Sequence, residues 1–492
     1  MTVDNRLYLI TIVFTAVCAG CTEPNESTRH VDPMLGDTQL TALVGATLLD
    51  GTGGSAVSNG NIIVEQGRIT CVGSPDECAI PSNAGIIDVG GKWITPGLVD
   101  SHVHFTQTGW FDGRPDGIDA TSLFPHEELQ DELRSNPERW HRSYLCSGIT
   151  AVYDVGGQQW TLALGAQAED DPNRAHVRAA GPLVAHAGRD ILDNETYQTF
   201  LPMGDAEEGR QGVRKLKEWG STAVKVWYLA PSQERQAELD EAIMAVGDEA
   251  RDQGMPLIVH ATTLREAKVA IRAGAELLVH AVFNDEIDDE FIQMVVTNNV
   301  IYSPTILVGP NWSKAFASVA LGSPNLADDP NGCVDPETRQ LIADVATFAP
   351  FLPEQITPEW ARGVAADNSA RIKRMQHDLL RMHQAGAVIA TGTDAGNPLT
   401  LHGPSIYAEM EVMRDAGIPA VDIIVMSTQN GARAMGRLDD FGTLERGKIA
   451  DLIVLSEDPA KDVANFRQVE RVMRAGVMHS VADLSYQRAD EH

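Results

Sequence analysis

The chain has 492 residues, which is enough for one large domain and a smaller second one. Its 69 Asp and Glu residues outnumber its 38 Lys and Arg residues, so the formal net charge is −31 at pH 7. This acidity argues against nucleic acid and anionic membrane surfaces as partners. A hydrophobic fraction of 43% and a charged fraction of 22% are ordinary for a globular protein.

Residues 1–21 are typical of a processing signal rather than of a folded element. Arg6 precedes an apolar run, Leu7–Val17, that is too short to span a bilayer as a helix. The sequence Cys18-Ala19-Gly20-Cys21 then resembles a bacterial lipoprotein cleavage site, with cysteine at its first position where leucine is usual.

The lipoprotein resemblance implies that Cys21 becomes a lipidated N-terminus and that the polar residues 22–37 form a tether. An ordinary cleaved leader is the alternative interpretation. In both cases we expect the mature protein outside the cytoplasm, in a bacterial periplasm or cell envelope. Membrane contact would then be made only through the lipid anchor.

The cysteines that follow the leader divide into two pairs. Cys71 and Cys78 flank a short Gly-Ser-Pro turn and are predicted to be able to form a disulfide in an oxidising compartment. Cys146 and Cys333 lie far apart in the sequence, and we predict that they are unpaired, buried thiols. None of these four cysteines belongs to a CxxC pair, so they do not indicate a cysteine metal site.

Short β-branched runs separated by Gly, Asn and Ser occupy residues 38–91, and the same texture returns in residues 437–485. Since the intervening sequence has a different pattern, we expect one small β domain, assembled from both ends of the chain.

Residues 92–436 alternate apolar strand candidates with amphipathic helices such as Gln236–Gln253 and Thr263–Ala273. Eight strands in this order are the number needed for a closed parallel barrel. An open doubly wound sheet is the structural alternative, although no Gly-rich phosphate turn follows the first strand. The strand candidates are Trp93–Val103, Ile149–Asp154, Val177–Val184, Ala223–Trp227, Leu257–His260, Leu277–His280, Val300–Pro304 and Val388–Thr393.

An insertion, Leu307–Gly386, separates the last two strand candidates. Its first part is rich in Gly, Pro and Asp, and its last part, Trp360–Gln384, is predicted to form one helix.

Chemistry in such a barrel gathers where the strands end. His102 and His104 close the first strand, and because side chains alternate along a strand, both imidazoles point to the same side. Other polar side chains at predicted strand ends are Lys225, His260, His280 and Asp394. One histidine alone would favour a hydrogen-bonded core residue, but this combination indicates a site for Zn²⁺, Mn²⁺ or a similar divalent ion.

Lys225 lies between two valines on a strand that we expect to be buried, where an unpaired ammonium is costly. A lysine paired with a carboxylate or reaching towards solvent is one interpretation. The other is a carboxylated lysine, in which the neutral amine has added CO₂ and become an anion that can bind two metals.

Several of these motifs together resemble the amidohydrolase superfamily, particularly its imidazolonepropionase-like and Xaa-Pro dipeptidase-like branch. The resemblance extends from Leu40 to Met478 and implies a distorted (β/α)₈ TIM barrel with a small β-sandwich domain built from both termini. The matching text is GKWITPGLVDSHVHF, GITAVYDVGG, VKVW, two copies of VHA, GTDAG and GTLERGKIADLIVL.

The resemblance further implies the ligand set. His102, His104 and Asp394 would hold the more buried metal, and His260 and His280 would hold a second. A CO₂-derived carbamate on Lys225 and a hydroxide would bridge the two ions, which we expect to be zinc, with manganese, iron or cobalt as alternatives. Some relatives use one metal, and Lys225 would then have a different role.

Two cations would lower the pKa of bound water, and Asp394 would carry its proton to the leaving nitrogen. Hydrolysis of an amide, lactam or dipeptide-type C–N bond is therefore the predicted reaction. The same site could hydrolyse an ester or phosphoester. A lipid-anchored binding protein without turnover is the alternative from another class.

We expect a small-molecule substrate, and the sequence leaves open whether the protein is a homo-oligomer. Loop residues beyond the strands are the candidates for contacting the substrate. A bidentate contact from Arg189 to a substrate carboxylate would be one such interaction. The candidates are Trp110, Phe111, His186, Arg189, Tyr228 and His402.

Overall fold

The computed structural model describes residues 40–186, 192–193, 196–229, 232–283, 285–326 and 328–487. The predicted signal and tether, including Cys21, lie outside these residues, and so does Arg189. Among the described helices, none is both long and apolar enough to cross a membrane.

Strands from both ends of the chain join in one mixed sheet of eight strands, which we call the terminal sheet. The join is made by strand Trp93–Pro96, which pairs in parallel with Thr41–Leu48 and antiparallel with Leu452–Leu455. A sandwich of two facing sheets stays a prediction. The strands are β1 (Thr41–Leu48), β2 (Val57–Glu65), β3 (Arg68–Gly73), β4 (Gly85–Asp88), β5 (Trp93–Pro96), β15 (Leu452–Leu455), β16 (Val469–Arg474) and β17 (Val477–Ser480).

The terminal sheet is held by β-branched and aliphatic side chains on its inner face. Leu43, Ile62, Ile94 and Leu452 are fully or almost fully buried in one hydrophobic cluster with Met473. Burial of such side chains contributes about 1.5–3 kcal/mol each, so the two ends of the chain are joined by packing as well as by backbone hydrogen bonds.

The middle of the chain forms parallel strands in two sheets, one of three strands (β6-β7-β8) and one of six (β10-β9-β11-β12-β13-β14). This is a mixed α/β fold consistent with a TIM-barrel-like domain, although the described strands do not close into one barrel. The strands are β6 (Leu98–Val103), β7 (Ile149–Asp154), β8 (His176–Ala179), β9 (Leu183–Ala185), β10 (Phe200–Pro202), β11 (Val224–Trp227), β12 (Leu257–His260), β13 (Leu277–Val279) and β14 (Ile301–Ser303).

Between most of these strands lie helices that cover the sheets, including Gln236–Asp252 and Leu264–Arg272, where helices are predicted. Several begin at a side-chain cap, such as Asp288 accepting from the backbone N–H of Phe291 at 2.9 Å. The helices are His126–Ser135, Glu138–Cys146, Leu164–Glu169, Ala206–Glu218, Gln236–Asp252, Leu264–Arg272, Asp289–Thr297, Val308–Leu321, Pro336–Ala343, Val345–Phe348, Pro358–Gln384, Ser405–Asp415, Ala420–Ser427, Gln429–Ala434 and Val481–Leu484.

The predicted strand Val388–Thr393 is wrong as a regular strand, because within this segment only Ile389 forms a bridge, to Tyr302 on β14. Only part of its backbone bonds to the neighbouring strands, as where the N–H of Ala390 donates to the carbonyl of Tyr302. The N–H of Thr391 donates to the carbonyl of Met426, and the N–H of Thr393 donates to the carboxylate of Asp100. The segment nevertheless lies between β14 and β6, where the eighth strand was expected.

Two predicted strands are each divided in the structure. Trp93–Val103 becomes β5 in the terminal sheet and β6 in the three-stranded sheet, with Gly97 between them. A Cβ on Gly97 would lie 2.1 Å from Oγ1 of Thr150, so only glycine fits this crossing. Val177–Val184 is interrupted before β9, next to Pro182, which has no backbone N–H for a ladder.

Four cysteines of the described chain form two disulfides. Cys71–Cys78 confirms the prediction from the turn. The prediction that Cys146 and Cys333 are unpaired is wrong, since they form a second, buried disulfide. Their separation of 187 residues hid the pair from local sequence patterns, whereas folding brings their Cα atoms to 5.5 Å. The bond ties the end of helix Glu138–Cys146 to the part of the insertion just before helix Pro336–Ala343.

Replacing both Cys146 and Cys333 with Ala should lower the free energy of unfolding by about 2–5 kcal/mol, because the unfolded chain loses a long cross-link. Chemical unfolding followed by circular dichroism would measure the change. The matched control is the Cys71→Ala, Cys78→Ala double variant, whose short loop should matter less. An unchanged unfolding midpoint in the Cys146, Cys333 variant would contradict the stabilising role.

Candidate metal centre and active site

The first pair of predicted ligands lies at the end of β6. His102 is fully buried and His104 is 8% exposed. Their Nε2 atoms are 3.2 Å apart, as expected for alternate residues whose side chains share one side of the strand. The buried carboxylate of Asp100 accepts the backbone N–H groups of His102 and Thr393, at 3.2 and 3.0 Å. Asp100 thus fixes the end of β6 against the segment that carries Asp394.

Asp394 meets both histidines. Its Oδ1 lies 2.9 Å from Nε2 of His104 and 3.3 Å from Nε2 of His102, while its Oδ2 lies 3.8 Å from Nδ1 of His280. The residue has φ of 65°, in the left-handed region that side chains disfavour. Strain of this kind is found at sites where the surrounding structure holds a functional side chain in place.

The second pair of predicted ligands follows the neighbouring strands. His260 ends β12, and His280 comes directly after β13. Their ring centroids are 4.2 Å apart, and that of His280 is 5.0 Å from His102. His280 also has a positive φ, of 78°, and its Nδ1 lies 2.8 Å from Oγ1 of Thr305.

Lys225 comes from β11, between the two histidine-bearing parts of the site. It is only 2% exposed, and burial lowers the pKa of its ammonium to about 8, against the opposing effects of Asp394 and Asp154. Together with His102, His104, His260, His280 and Asp394, it lines one cavity of about 210 Å³. The structure therefore brings together every residue that the sequence predicts as a metal ligand.

The electrostatics of the cluster favour neutral imidazoles at His102, His260 and His280. Burial holds the pKa values of His102 and His260 well below their usual range and lowers that of His280 to about 3. Burial opposes ionisation of Asp394 as well, but the facing histidines outweigh it and leave the pKa of this carboxyl well below its ordinary value.

The hydrogen bonding around His104 tests whether this donor set fits a metal ion. Its Nδ1 donates to the carbonyl oxygen of Gly156, so in the neutral imidazole the lone pair is on Nε2. In that form Nε2 and the facing carboxylate of Asp394 are two opposed acceptors. A cation between them resolves the conflict, and nitrogen and carboxylate donors suit divalent zinc and its neighbours. Nitrogens of His102 and His280 and an oxygen of Asp394 lie within 4.8 Å of one another.

A polar network that the sequence did not predict lies beside Asp394. Arg114 forms an ion pair with Asp116, with Nε and Oδ1 at 2.7 Å, and donates from Nη1 to Oδ1 of Asn397. Nδ2 of Asn397 donates in turn to Oδ1 of Asp394 at 2.7 Å. Trp312 donates from Nε1 to the same amide at 3.1 Å. Asn397 follows Asp394 by three residues and was within reach of motif reading, whereas Arg114 lies in a loop without a periodic signal.

The predicted substrate contacts that are described lie away from the cavity. His402 is 3% exposed, with Nδ1 at 2.6 Å from the Tyr144 hydroxyl and Nε2 at 2.9 Å from the carbonyl of Gln107. The Tyr228 hydroxyl donates to Asp240. His186 has its ring centroid 6.3 Å from that of Tyr228. None of these three is among the described residues that line the cavity. Their part in substrate binding stays a prediction.

Trp110 and Phe111 are buried in an aromatic cluster with Phe348. Their ring centroids lie 6.0 and 6.3 Å from that of Phe348. Their burial anchors the chain that follows β6 to this aromatic cluster.

Comparisons with known proteins agree with this geometry. Residues 93–478 match the family described as Amidohydrolase family. The chain is 25% identical over 437 residues to an imidazolonepropionase of Methylobacterium sp. (strain 4-46), covering 85% of this chain and 92% of that protein.

Among solved structures, a Xaa-Pro dipeptidase with bound methionine in the active site is 22% identical with a TM-score of 0.64, over 90% of this chain and 100% of the other. The ochratoxinase of A. niger is 20% identical with a TM-score of 0.64, over 90% and 96% of the two chains. The predicted resemblance to the amidohydrolase superfamily is confirmed. The chain belongs to the amidohydrolase family, and it is a hydrolase that acts on carbon–nitrogen bonds.

Proposed function

We propose that this hydrolase depends on divalent metal and cleaves an amide, lactam or dipeptide-type C–N bond of a small molecule. The observation that carries the proposal is the convergence of His102, His104, His260, His280 and Asp394, with Lys225, on one buried cavity. Imidazoles and a carboxylate are donors that zinc and similar ions select.

In this proposal His102, His104 and Asp394 would hold one ion, and His260 and His280 would hold a second. Zinc is the proposed metal, with manganese, iron or cobalt as alternatives. Such ions, when bound, polarise a carbonyl group and lower the pKa of water. Lys225 would carry a carbamate derived from CO₂ and bind both ions. Its burial argues against a side chain that reaches solvent and, by lowering the pKa of the ammonium to about 8, favours the neutral amine that reaction with CO₂ requires.

Asp394 is the proposed proton carrier. Its Oδ1 accepts a hydrogen bond from Nδ2 of Asn397, and its backbone N–H donates to the carbonyl of His102 at 2.8 Å. The carboxylate is thereby held at the cavity surface in one orientation. From there it can take a proton from the attacking water and deliver it to the leaving nitrogen, so that the amine departs neutral.

The choice among reactions is open to a direct test. Purified protein repleted with metal would be screened against N-acyl amino acids, dipeptides, lactams and esters. Turnover of the amides supports the proposal. Turnover of esters or phosphoesters alone favours the alternative reaction on the same site, and metal binding without turnover of any substrate favours a binding protein.

We also propose that the mature protein lies outside the cytoplasm, in a bacterial periplasm or cell envelope, and is anchored by a lipid on Cys21. The disulfides Cys71–Cys78 and Cys146–Cys333 support an oxidising compartment, because reducing systems keep most cytosolic thiols unpaired.

Asp394→Asn should lower kcat by about 10²–10⁴-fold while reducing metal content far less, because the amide keeps an oxygen donor but carries no proton. Steady-state kinetics and elemental analysis on the same samples would measure both. Asp248→Asn is the matched control on an exposed helix position. Activity close to that of the unmodified protein would remove Asp394 from proton transfer.

Lys225→Ala should lose metal and activity together, because both ions lose a shared anion. The starting protein is expected to hold two metal equivalents per chain. A short carboxylic acid added with metal should restore part of the turnover by occupying the vacated space. Lys217→Ala, at an exposed position, is the control. A folded Lys225→Ala variant that retains two tightly bound metals would contradict the carbamate.

A palmitate analogue should label the full-length chain produced in a bacterium, and labelling should disappear in Cys21→Ser. Gel fluorescence measures the incorporated label. Cys18→Ser is the matched control and should still be labelled, since that residue belongs to the removed leader. Equal labelling of the Cys21 and Cys18 variants would reject the lipid anchor and leave a plain signal peptide.

A further inference from the structure

The wall of the cavity next to the second histidine pair is apolar. Leu183, Phe200 and Leu192 form one hydrophobic cluster with Trp227, and all four line the cavity. They come from the ends of β9, β10 and β11 and from the chain between β9 and β10. The polar cluster therefore lies beside a preformed apolar surface.

Trp227 is the largest member of this surface. It follows Lys225 by two positions on β11, so both side chains point to the same side of the strand. Its ring is stacked on Phe200, with centroids 5.3 Å apart and planes at 17°, and it meets His260 edge-on at 6.0 Å. Phe200 is 3% exposed, whereas Trp227 is only partly buried. One indole face is thus fixed by Phe200, and apolar surface of the same side chain remains open at the cavity.

The part of the cavity wall next to Asp394 has a different chemistry. There Asn397 donates to Asp394, and Trp312 donates to Asn397. The Arg114 guanidinium lies 4.5 Å above the Trp312 ring. Arg114 is already paired with Asp116, so its charge is balanced within the protein. The two sides thus differ, with an apolar platform beside His260 and a hydrogen-bonded polar wall beside Asp394.

The position of Asp394 gives the substrate a direction. If Asp394 protonates the leaving nitrogen, the amine half of the substrate lies towards Asn397 and Trp312. The acyl half then lies towards His260 and the indole of Trp227. Aromatic groups gain from stacking on an indole as well as from losing contact with water.

We propose that the substrate is an amide whose acyl group carries an aromatic or bulky aliphatic substituent, and that Trp227 is the residue that selects it. The inference rests on the proposed amide hydrolysis for its direction. The platform itself rests on the packing of Trp227, Phe200 and Leu183.

Binding of phenylacetate and acetate to the metal-repleted protein tests the platform without turnover. The two acids share a carboxylate and differ by one phenyl group, so calorimetric titration isolates the contribution of the ring. We expect phenylacetate to bind at least about tenfold more tightly, an effect typical of one or more apolar groups in a hydrophobic pocket. Trp227→Ala should remove most of this difference, and Trp227→Phe should restore part of it.

The control is Trp219→Ala, which removes a partly buried indole outside the cavity and should leave the preference unchanged. Metal content and circular dichroism are measured for every variant, because Trp227 contacts His260. If Trp227→Ala does not fold, the relative affinities for phenylacetate and acetate in the unmodified protein and in Trp227→Phe still test the platform. Equal affinity for the two acids in the unmodified protein would overturn the inference.

Turnover of matched amides separates this inference from the proposed function. Phe-Pro and Gly-Pro share a leaving amine, as do N-phenylacetylglycine and N-acetylglycine. We expect kcat/KM to be about tenfold or more higher for the aromatic member of a pair. Phenylacetate binding that depends on Trp227, without hydrolysis of any amide, would reject the proposed reaction and retain the aromatic subsite. Hydrolysis with no preference within the pairs would reject the subsite and retain the reaction.

Discussion

The buried carboxylate of Asp394 is the constraint on which the site depends. Moving an ionised carboxylate out of water costs on the order of several kcal/mol unless compensating charges or hydrogen bonds surround it. Here the side chain is 6% exposed, faces the Nε2 atoms of His102 and His104, and accepts a hydrogen bond from Asn397. Where these imidazoles are neutral, they supply no positive charge to the carboxylate. A divalent cation bound among the same side chains would supply it, which is why we propose a metal centre rather than a structural cluster.

The scaffold maintains this arrangement through groups that never reach the cavity. Asp100 binds the backbone of β6 and of the Asp394 segment at once, with the Thr393 hydroxyl donating to it at 2.6 Å. The carboxylate of Glu409 accepts the backbone N–H groups of Ile306 and Leu307, at 2.6 and 3.2 Å. The loop after β14 is thereby fixed to helix Ser405–Asp415. Precise placement of ligands needs such support, since loops without it would allow the donors to separate.

Local sequence patterns were sufficient to predict which polar residues lie at the ends of the strands. His102, His104, Lys225, His260 and His280 each close or lie on an apolar strand, and parallel strands bring such ends to one edge of a sheet. Amphipathic helices were equally readable, because their periodicity reflects burial on one face. The family resemblance then joined these residues into a single site.

What the sequence could not provide depends on contacts between distant parts of the chain. The Cys146–Cys333 disulfide joins residues separated by 187 positions. The segment before Asp394 has the sequence of a strand, but the backbone N–H groups of Thr391 and Thr393 bond to Met426 and to the Asp100 side chain, which are tertiary partners. The apolar cavity wall could not be predicted from the sequence for the same reason. Trp227 becomes part of it only when Phe200, from another strand, stacks against its ring.

Anomalous X-ray diffraction from crystals of the metal-repleted protein, recorded on both sides of the absorption edge of the added metal, tests the central claim most directly. The account predicts two anomalous peaks, one bounded by His102, His104 and Asp394 and one by His260 and His280, with electron density continuing beyond Nζ of Lys225 between them. No peak among these side chains, under conditions in which the protein hydrolyses an amide, would contradict the account.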